Sequence, residues 1–373
     1  MADAPVTARR AVARAETVGS LLRPPQLLAA RHDLSEGRST PERIRELEDA
    51  AVLEAIGLQE AVGLDVITDG EMRRRGWAAT IEALEGFEPR PGGPGLNWRG
   101  EGPEAQTDAG YPTVVRRISP RGSLAEDYAF LAEHARLRTK YCLPAPSYHR
   151  RFWYRQHSAD AYPTCEAFLE AVRDYLRAEV ARLTGLGCDY VQLDAPNYGT
   201  LCDVENRRRL EARGHDLDAE LAFDIELDNS VFDGFTGITR ALHVCRGNAA
   251  GRWHSTGGYG RIAERLFSQL DVDVLLLEYD TARAGDFGPL ACIRPGTIAV
   301  LGLLTTKSGS LEDEREVEAR IAQAAKVKPL AELALSPQCG FASVAMGNPL
   351  TPEEQRAKLA LVARVARRIW AQA

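Results

Sequence analysis

Short apolar runs bounded by turn residues recur along the chain: TVGS at 17–20, DVITDG at 65–70, KYCLP at 140–144, DYVQLD at 189–194, RALHVC at 240–245, DVLLLEYD at 273–280, TIAVLGLL at 297–304 and LALSPQCG at 333–340. The intervening stretches mostly carry the three-and-four spacing of amphipathic helices. Continuous rather than alternating apolar character marks strands covered on both faces, and strand alternating with helix implies a parallel sheet. Eight such runs predict an α/β chain closed as a (β/α)8 TIM barrel. Two helices announce their ends. Thr40-Pro41 precedes Ile44, Leu47, Ala51, Ala55 and Leu58 on one face, and Thr351-Pro352-Glu353-Glu354 reads as a capping box opening a final helix that aligns Leu359, Val362, Val365 and Ile369.

The stretch from about 76 to 138 breaks the rhythm, being too long for one crossover helix and containing RPGGPGLNWRGEGPE. It is expected to be an insertion after the second strand, lying over one end of the barrel. Residues 1–15, rich in Ala and Arg but without an apolar segment, read as a mobile tail rather than a transit sequence, leaving 16–373 as a single domain.

Composition narrows the function classes. With 373 residues, 45% apolar and 27% charged, the chain can bury a sizeable core, and a net charge of −7 without a basic tract argues against nucleic acid as a partner. No apolar run approaches the roughly 20 residues of a membrane helix. Seven dispersed cysteines do not resemble a secreted disulfide framework, so a reducing cytoplasm is expected.

The cysteines matter more for chemistry. His243 and Cys245 stand as His-x-Cys on one strand, which points both side chains to one face. Glu278 stands near the end of the sixth run and Cys339 near the end of the last. If the runs are barrel strands, all four lie at or just beyond C-terminal strand ends, where barrel active sites are built. Imidazole and thiolate donors select zinc over magnesium or calcium. Four protein ligands would fill a tetrahedral site, so the zinc is either structural or loses a weak ligand to substrate, Glu278 being the candidate to leave.

Other polar groups belong to the same rim. Ser20, Asp69, Glu71 and Asp194 would place a hydroxyl and carboxylates around the metal, suited to a substrate ammonium; Asp194 and Ser20 could equally cap the following helices. Lys307 would add a cation able to protonate a leaving group or meet an acidic substrate, or would be an exposed structural lysine. Arg73 to Arg75 read as a solvated run or an anion contact. The His149, Phe152, Trp153, Tyr154 and His157 cluster is a pocket wall or core packing.

These motifs, from ETVGS through TDGE, YVQLD, HVCRGN, LEYDTARAGDF, LGLLTTKSGSLE and LSPQCGFAS, resemble the cobalamin-independent methionine synthase family, specifically the short bacterial branch with only the catalytic barrel. HVCRGN with LSPQCGF is the most specific part. The resemblance implies zinc ligands at His243, Cys245, Glu278 and Cys339, homocysteine contacts at Ser20, Glu71 and Asp194, and methyl transfer to the homocysteine thiol, with a methylfolate as expected donor. It departs from the family's long enzymes in two places. Asp194-Ala195-Pro196 replaces Asp-Glu-Pro, and Lys307 stands where a histidine protonates the departing folate. The donor therefore stays open, as does a methyl carrier or helper protein. Two other readings also stay open: an epoxyalkane:coenzyme M transferase-like alkylation of another thiol, and a closed structural zinc without turnover.

Overall fold

A computed structural model describes residues 12–90, 98–100 and 111–371. Ten strands are present among them: β1 Val66–Ile67, β2 Leu84–Glu88, β3 Thr113–Pro120, β4 Arg138–Thr139, β5 Tyr141–Pro144, β6 Tyr190–Asp194, β7 Thr239–Val244, β8 Val274–Glu278, β9 Ile298–Leu304 and β10 Leu333–Pro337. Six form one parallel sheet in the order β10-β9-β8-β7-β6-β5. β1 pairs in parallel with β4, which runs into β5.

The α/β class and the parallel sheet agree with the sequence pattern, but the sheet is not closed by continuous ladders. Single parallel bridges join Ala15 to Leu335 of β10 and Glu16 to Val66 of β1. The first apolar run is therefore represented by bridges just before Val18 rather than by a strand. Arg14 and Ala15 are held, their backbone N–H groups both donating to Asp65 Oδ2 at 2.7 and 3.0 Å. The rest of the expected tail, up to residue 11, lies outside the described residues.

Two apolar clusters explain the continuous strand runs. The larger joins helices to one side of the sheet, through Leu193, Leu242, Leu275, Leu301 and Leu335. The smaller gathers Val18 and Val66 with Tyr190, Ala241, Val274, Leu276, Val300 and Ala334, the last six being alternate positions of the same strands. Side-chain period two thus fills both faces.

Helix ends follow the local chemistry. In the helix Pro41–Val62, Thr40 Oγ1 accepts from Arg43 N, and Gly63 ends it at φ 81°, a left-handed conformation natural to glycine. The last helix, Pro352–Trp370, has both halves of the capping box, Glu354 N donating to Thr351 Oγ1 and Thr351 N donating to Glu354 Oε2. It buries Leu359, Val362 and Val365 against β10 and the helix Pro41–Val62.

The insertion holds the helix Thr80–Ala83, an antiparallel β2–β3 pair and the helix Glu126–His134. Most of the Pro- and Gly-rich tip lies outside the described residues. Trp98 to Gly100 do not, and Arg99 forms an antiparallel bridge with Trp253, its N–H donating at 2.7 Å and its carbonyl accepting at 3.1 Å.

Candidate active site

Strand register assembles the site. Asp194 is the last residue of β6 and pairs with His243 of β7, while Glu278, last in β8, pairs with Gly302 of β9. Cys245 follows β7 and Cys339 follows β10 by two residues. The donor atoms of His243, Cys245 and Cys339 lie within 4.8 Å of one another, and all three residues are buried.

His243 is prepared as a ligand. Its Nδ1 lies 3.1 Å from the Leu276 carbonyl, which can only accept, so Nδ1 carries the proton. Nε2 is buried without a hydrogen bond and keeps its lone pair free. This is how a protein orients a metal-binding imidazole. The adjoining Cys245 thiol, opposed by burial and aided by His243 and Lys307, holds Cys339 well below the usual thiol range. Cys245 is driven the other way by the Cys339 charge and by burial. Two thiols and an imidazole therefore share negative charge in a dry site, a donor set that suits zinc.

Glu278 stands outside that group of three. Its Oε1 accepts from Arg283 at 2.6 Å and its Oε2 from the backbone N–H of Arg246 at 2.7 Å. Burial opposes its ionisation, yet Lys307, Arg246 and Arg283 hold it well below the ordinary carboxylate range. Lys307 Nζ lies 3.8 Å from Glu278 and 4.0 Å from Asp280, without a hydrogen bond. It is a neighbour of Glu278 rather than part of the cavity wall.

The cavity beside the three donors measures about 170 Å³ and is lined by Ser20, Glu71, Asp194, His243, Cys245 and Cys339, among others. Glu71 and Asp194 form its acidic end, together with Cys142, their ligand atoms within 4.8 Å of one another. Burial pushes the Glu71 carboxyl up to about 7, with Asp194 and Asp69 adding to the rise against Arg74 and Arg23. Burial likewise raises Asp194 to about 6, opposed by His243 and by the hydrogen bond from Gln192. Glu71 Oε2 has no hydrogen-bond partner. Glu71 also adopts φ 56°, a left-handed conformation unfavourable for a side-chain-bearing residue, held by its N–H donating to Asp69 Oδ1 at 2.9 Å. Two carboxyls whose ionisation is opposed chiefly by burial, one of them with Arg74 3.7 Å away, line the cavity and can accept hydrogen bonds from a substrate cation.

Ser20 meets the loop after β10. Its carbonyl accepts from Phe341 N at 2.8 Å and its Oγ from Ala342 N at 3.3 Å. A Cβ on Gly340 would come within 2.0 Å of Ser20 Oγ, so this approach requires glycine next to Cys339.

Several supports were not apparent as functional residues. Asn248 Nδ2 donates to the Gly340 carbonyl at 2.7 Å and to Ser343 Oγ at 3.2 Å, tying the Cys245 loop to the Cys339 loop. Arg246, fully buried, lies over the Tyr259 ring at 4.2 Å and donates to the Glu278 carbonyl. Both belong to HVCRGN, whose polar residues after a buried strand were the available signal. Of the arginine run, Arg73 pairs with Asp49 and Arg74 is buried 3.7 Å from Glu71. His149 is core, its Nε2 2.6 Å from Thr80 Oγ1 and burial lowering its pKa to about 4.

Fold and site define an α/β enzyme with a two-thiol, one-imidazole centre at the C-terminal ends of parallel strands, facing a cation receptor. Residues 165–367 match a family described as the cobalamin-independent synthase, catalytic domain. The uncharacterized proteins YxjH and YxjG of Bacillus subtilis (strain 168) are 35% and 34% identical over 97% and 96% of this chain, covering 96% and 94% of their own lengths. A putative vitamin-B12 independent methionine synthase from Listeria monocytogenes superposes with a TM-score of 0.74 at 29% identity, covering 96% of this chain and 98% of that one. A B12-independent methionine synthase from Shewanella sp. W3-18-1, in complex with selenomethionine, shares the fold with a TM-score of 0.72 at 21% identity, covering 97% of this chain and 99% of that one. The chain belongs to the cobalamin-independent methionine synthase family, a family of methyltransferases.

Proposed function

We propose that this protein is a zinc-dependent S-methyltransferase that makes methionine from homocysteine, with a methylfolate as donor, on a (β/α)8 barrel whose circuit runs through the Ala15 and Glu16 bridges. The observation that carries this reading is one cavity lined by both the three soft donors and the paired carboxylates. His243, Cys245 and Cys339 fit zinc by donor type, proximity and the free Nε2 lone pair. Zinc there would supply the Lewis acidity that lets a thiol lose its proton near neutral pH.

The chain's own residues do the rest. Glu71 and Asp194 grip the substrate ammonium, and Ser20 fixes the amino acid beside them. The apolar walls Val18, Trp77 and Val344 exclude water, which strengthens both contacts. Glu278, held by Arg246 and Arg283, would be the one oxygen donor of the expected ligand set, and the weakest of the four toward zinc. Lys307 is the proposed proton source for the departing amine, reaching the cavity by leaving Glu278. The Shewanella relative's selenomethionine, an analogue of the proposed product, supports the choice of amino acid. Paired carboxylates also favour an ammonium-bearing thiol over the anionic sulfonate of coenzyme M. All seven cysteines are free, in keeping with a cytoplasmic setting. Among the described residues no helix is long and apolar enough to cross a membrane.

The test is a mass-spectrometric product assay on zinc-loaded protein, offering homocysteine or coenzyme M with a panel of methyl donors that includes methylfolates. Methionine formation is the expected result. Alkylation of coenzyme M alone, or no consumption of either thiol, overturns the reading.

A further inference from the structure

The cavity has polar lining residues besides those assigned above to the thiol substrate. Arg151, from the segment after β5, and His254, from the loop after β7, both line it. Arg151 Nη1 donates to Tyr111 Oη at 3.2 Å, and its guanidinium lies over the rings of Tyr148 at 4.3 Å and Tyr111 at 5.0 Å. Among the described residues no carboxylate pairs with it. The neighbouring Arg150, by contrast, is taken up by Asp224 at 2.5 Å.

His254 is arranged as a neutral donor. Asn206 Nδ2 donates to Ser255 Oγ at 3.1 Å and to the His254 carbonyl at 2.9 Å. The Ser255 hydroxyl, already accepting, is free to donate to His254 Nδ1 at 2.6 Å, which leaves the ring proton on Nε2. Burial, with Arg151 nearby, lowers the His254 pKa to about 3, so the ring stays uncharged.

Arg151 is also a boundary. With Tyr111 and Tyr148 it lines a second cavity of about 730 Å³, so the small reaction cavity and this larger one share a wall. Homocysteine placed with sulfur at the three soft donors, ammonium at Glu71 and Asp194 and carboxylate toward Ser20 does not reach into the larger space. A second reactant does.

We propose that Arg151 and His254 form a subsite for an electron-rich oxygen, a carboxylate or ring carbonyl, on the leaving portion of the methyl donor, whose bulk extends past Arg151 into the larger cavity. This rests on the transfer reading above, and it assigns donor choice to residues separate from the thiol machinery.

The test uses the zinc-loaded full chain with homocysteine as acceptor and 5-methyltetrahydrofolate as donor. Loss of a charged hydrogen bond in Arg151→Met is expected to raise the donor KM by about tenfold or more. The homocysteine KM stays within about twofold, because Arg151 does not contact that substrate in this arrangement. Arg151→Lys recovers part of the loss, and His254→Gln, which keeps an N–H donor, perturbs the donor KM less than His254→Phe. An unchanged donor KM overturns the proposal. So does a parallel rise in both KM values, which would give the subsite to the amino-acid carboxylate. Wild-type protein that makes methionine from methyl iodide but not from the methylfolate also overturns the subsite; inertness with both overturns the transfer reading beneath it.

Discussion

Replacing Glu71 by Gln should stabilise the metal-free protein above neutral pH while impairing the enzyme. The Glu71 carboxyl is raised from 4.5 to about 7, chiefly by burial, so the folded state holds its proton where an unfolded chain has released it. Stability contributed by the neutral form is complete below about pH 4.5 and lost as pH rises through 7. A shift of 2.5 units, at about 1.36 kcal/mol each, amounts to about 3 kcal/mol. Gln carries no charge and escapes that loss. Urea unfolding should therefore show the variant more stable than wild type by up to about 3 kcal/mol at pH 8, with the gain vanishing near pH 4.5. The same variant loses a charge-assisted contact to the ammonium, worth about 1.5–3 kcal/mol, which raises the homocysteine KM at least tenfold. A stability difference that does not change between the two pH values would refute the argument, because it would show that the cost of ionising Glu71 is not what separates the variants.

Other outcomes follow from the same geometry. Cys339→Ser should lose bound zinc and methionine formation together, checked by metal analysis alongside the product assay. Asn248→Ala removes the tie between the two cysteine loops and should weaken zinc affinity by about 10-fold to 100-fold, measured by competition with a chromogenic chelator. Thr351→Ala deletes one half of the capping box and should cost about 1 kcal/mol in denaturant unfolding, leaving the homocysteine KM unchanged.

The strands were readable because their runs are buried on both faces: LLL in β8 supplies Leu275 and Leu277 to one cluster and Leu276 to the other. The helix ends were readable for a different reason, since capping is a contact between near neighbours in sequence. His243, Cys245 and Cys339 were legible as a group of soft donors because imidazole and thiol groups stand together at strand ends, and the fold brings their donor atoms within 4.8 Å of one another. The environment of Glu278 was not, because it depends on a backbone N–H from one loop and a guanidinium from another converging on its carboxylate. Cys142 joins the acidic end only through the β5–β6 register, which KYCLP alone does not reveal. Arg151 and His254 are set apart by the cavities they border and by the polar groups around them.

The bridge between Arg99 and Trp253 has an evolutionary reading. It fastens the insertion to the loop that carries His254, so Trp98 lines the cavity beside it. The thiol side is built from strand ends, where a change of register would disturb every neighbour. The Arg151 and His254 side is built from the short helix after β5, the insertion and the loop after β7, where length and sequence can change without shifting a strand. A change confined to those segments can alter what the cavity accepts there while leaving the strand-end donors in place.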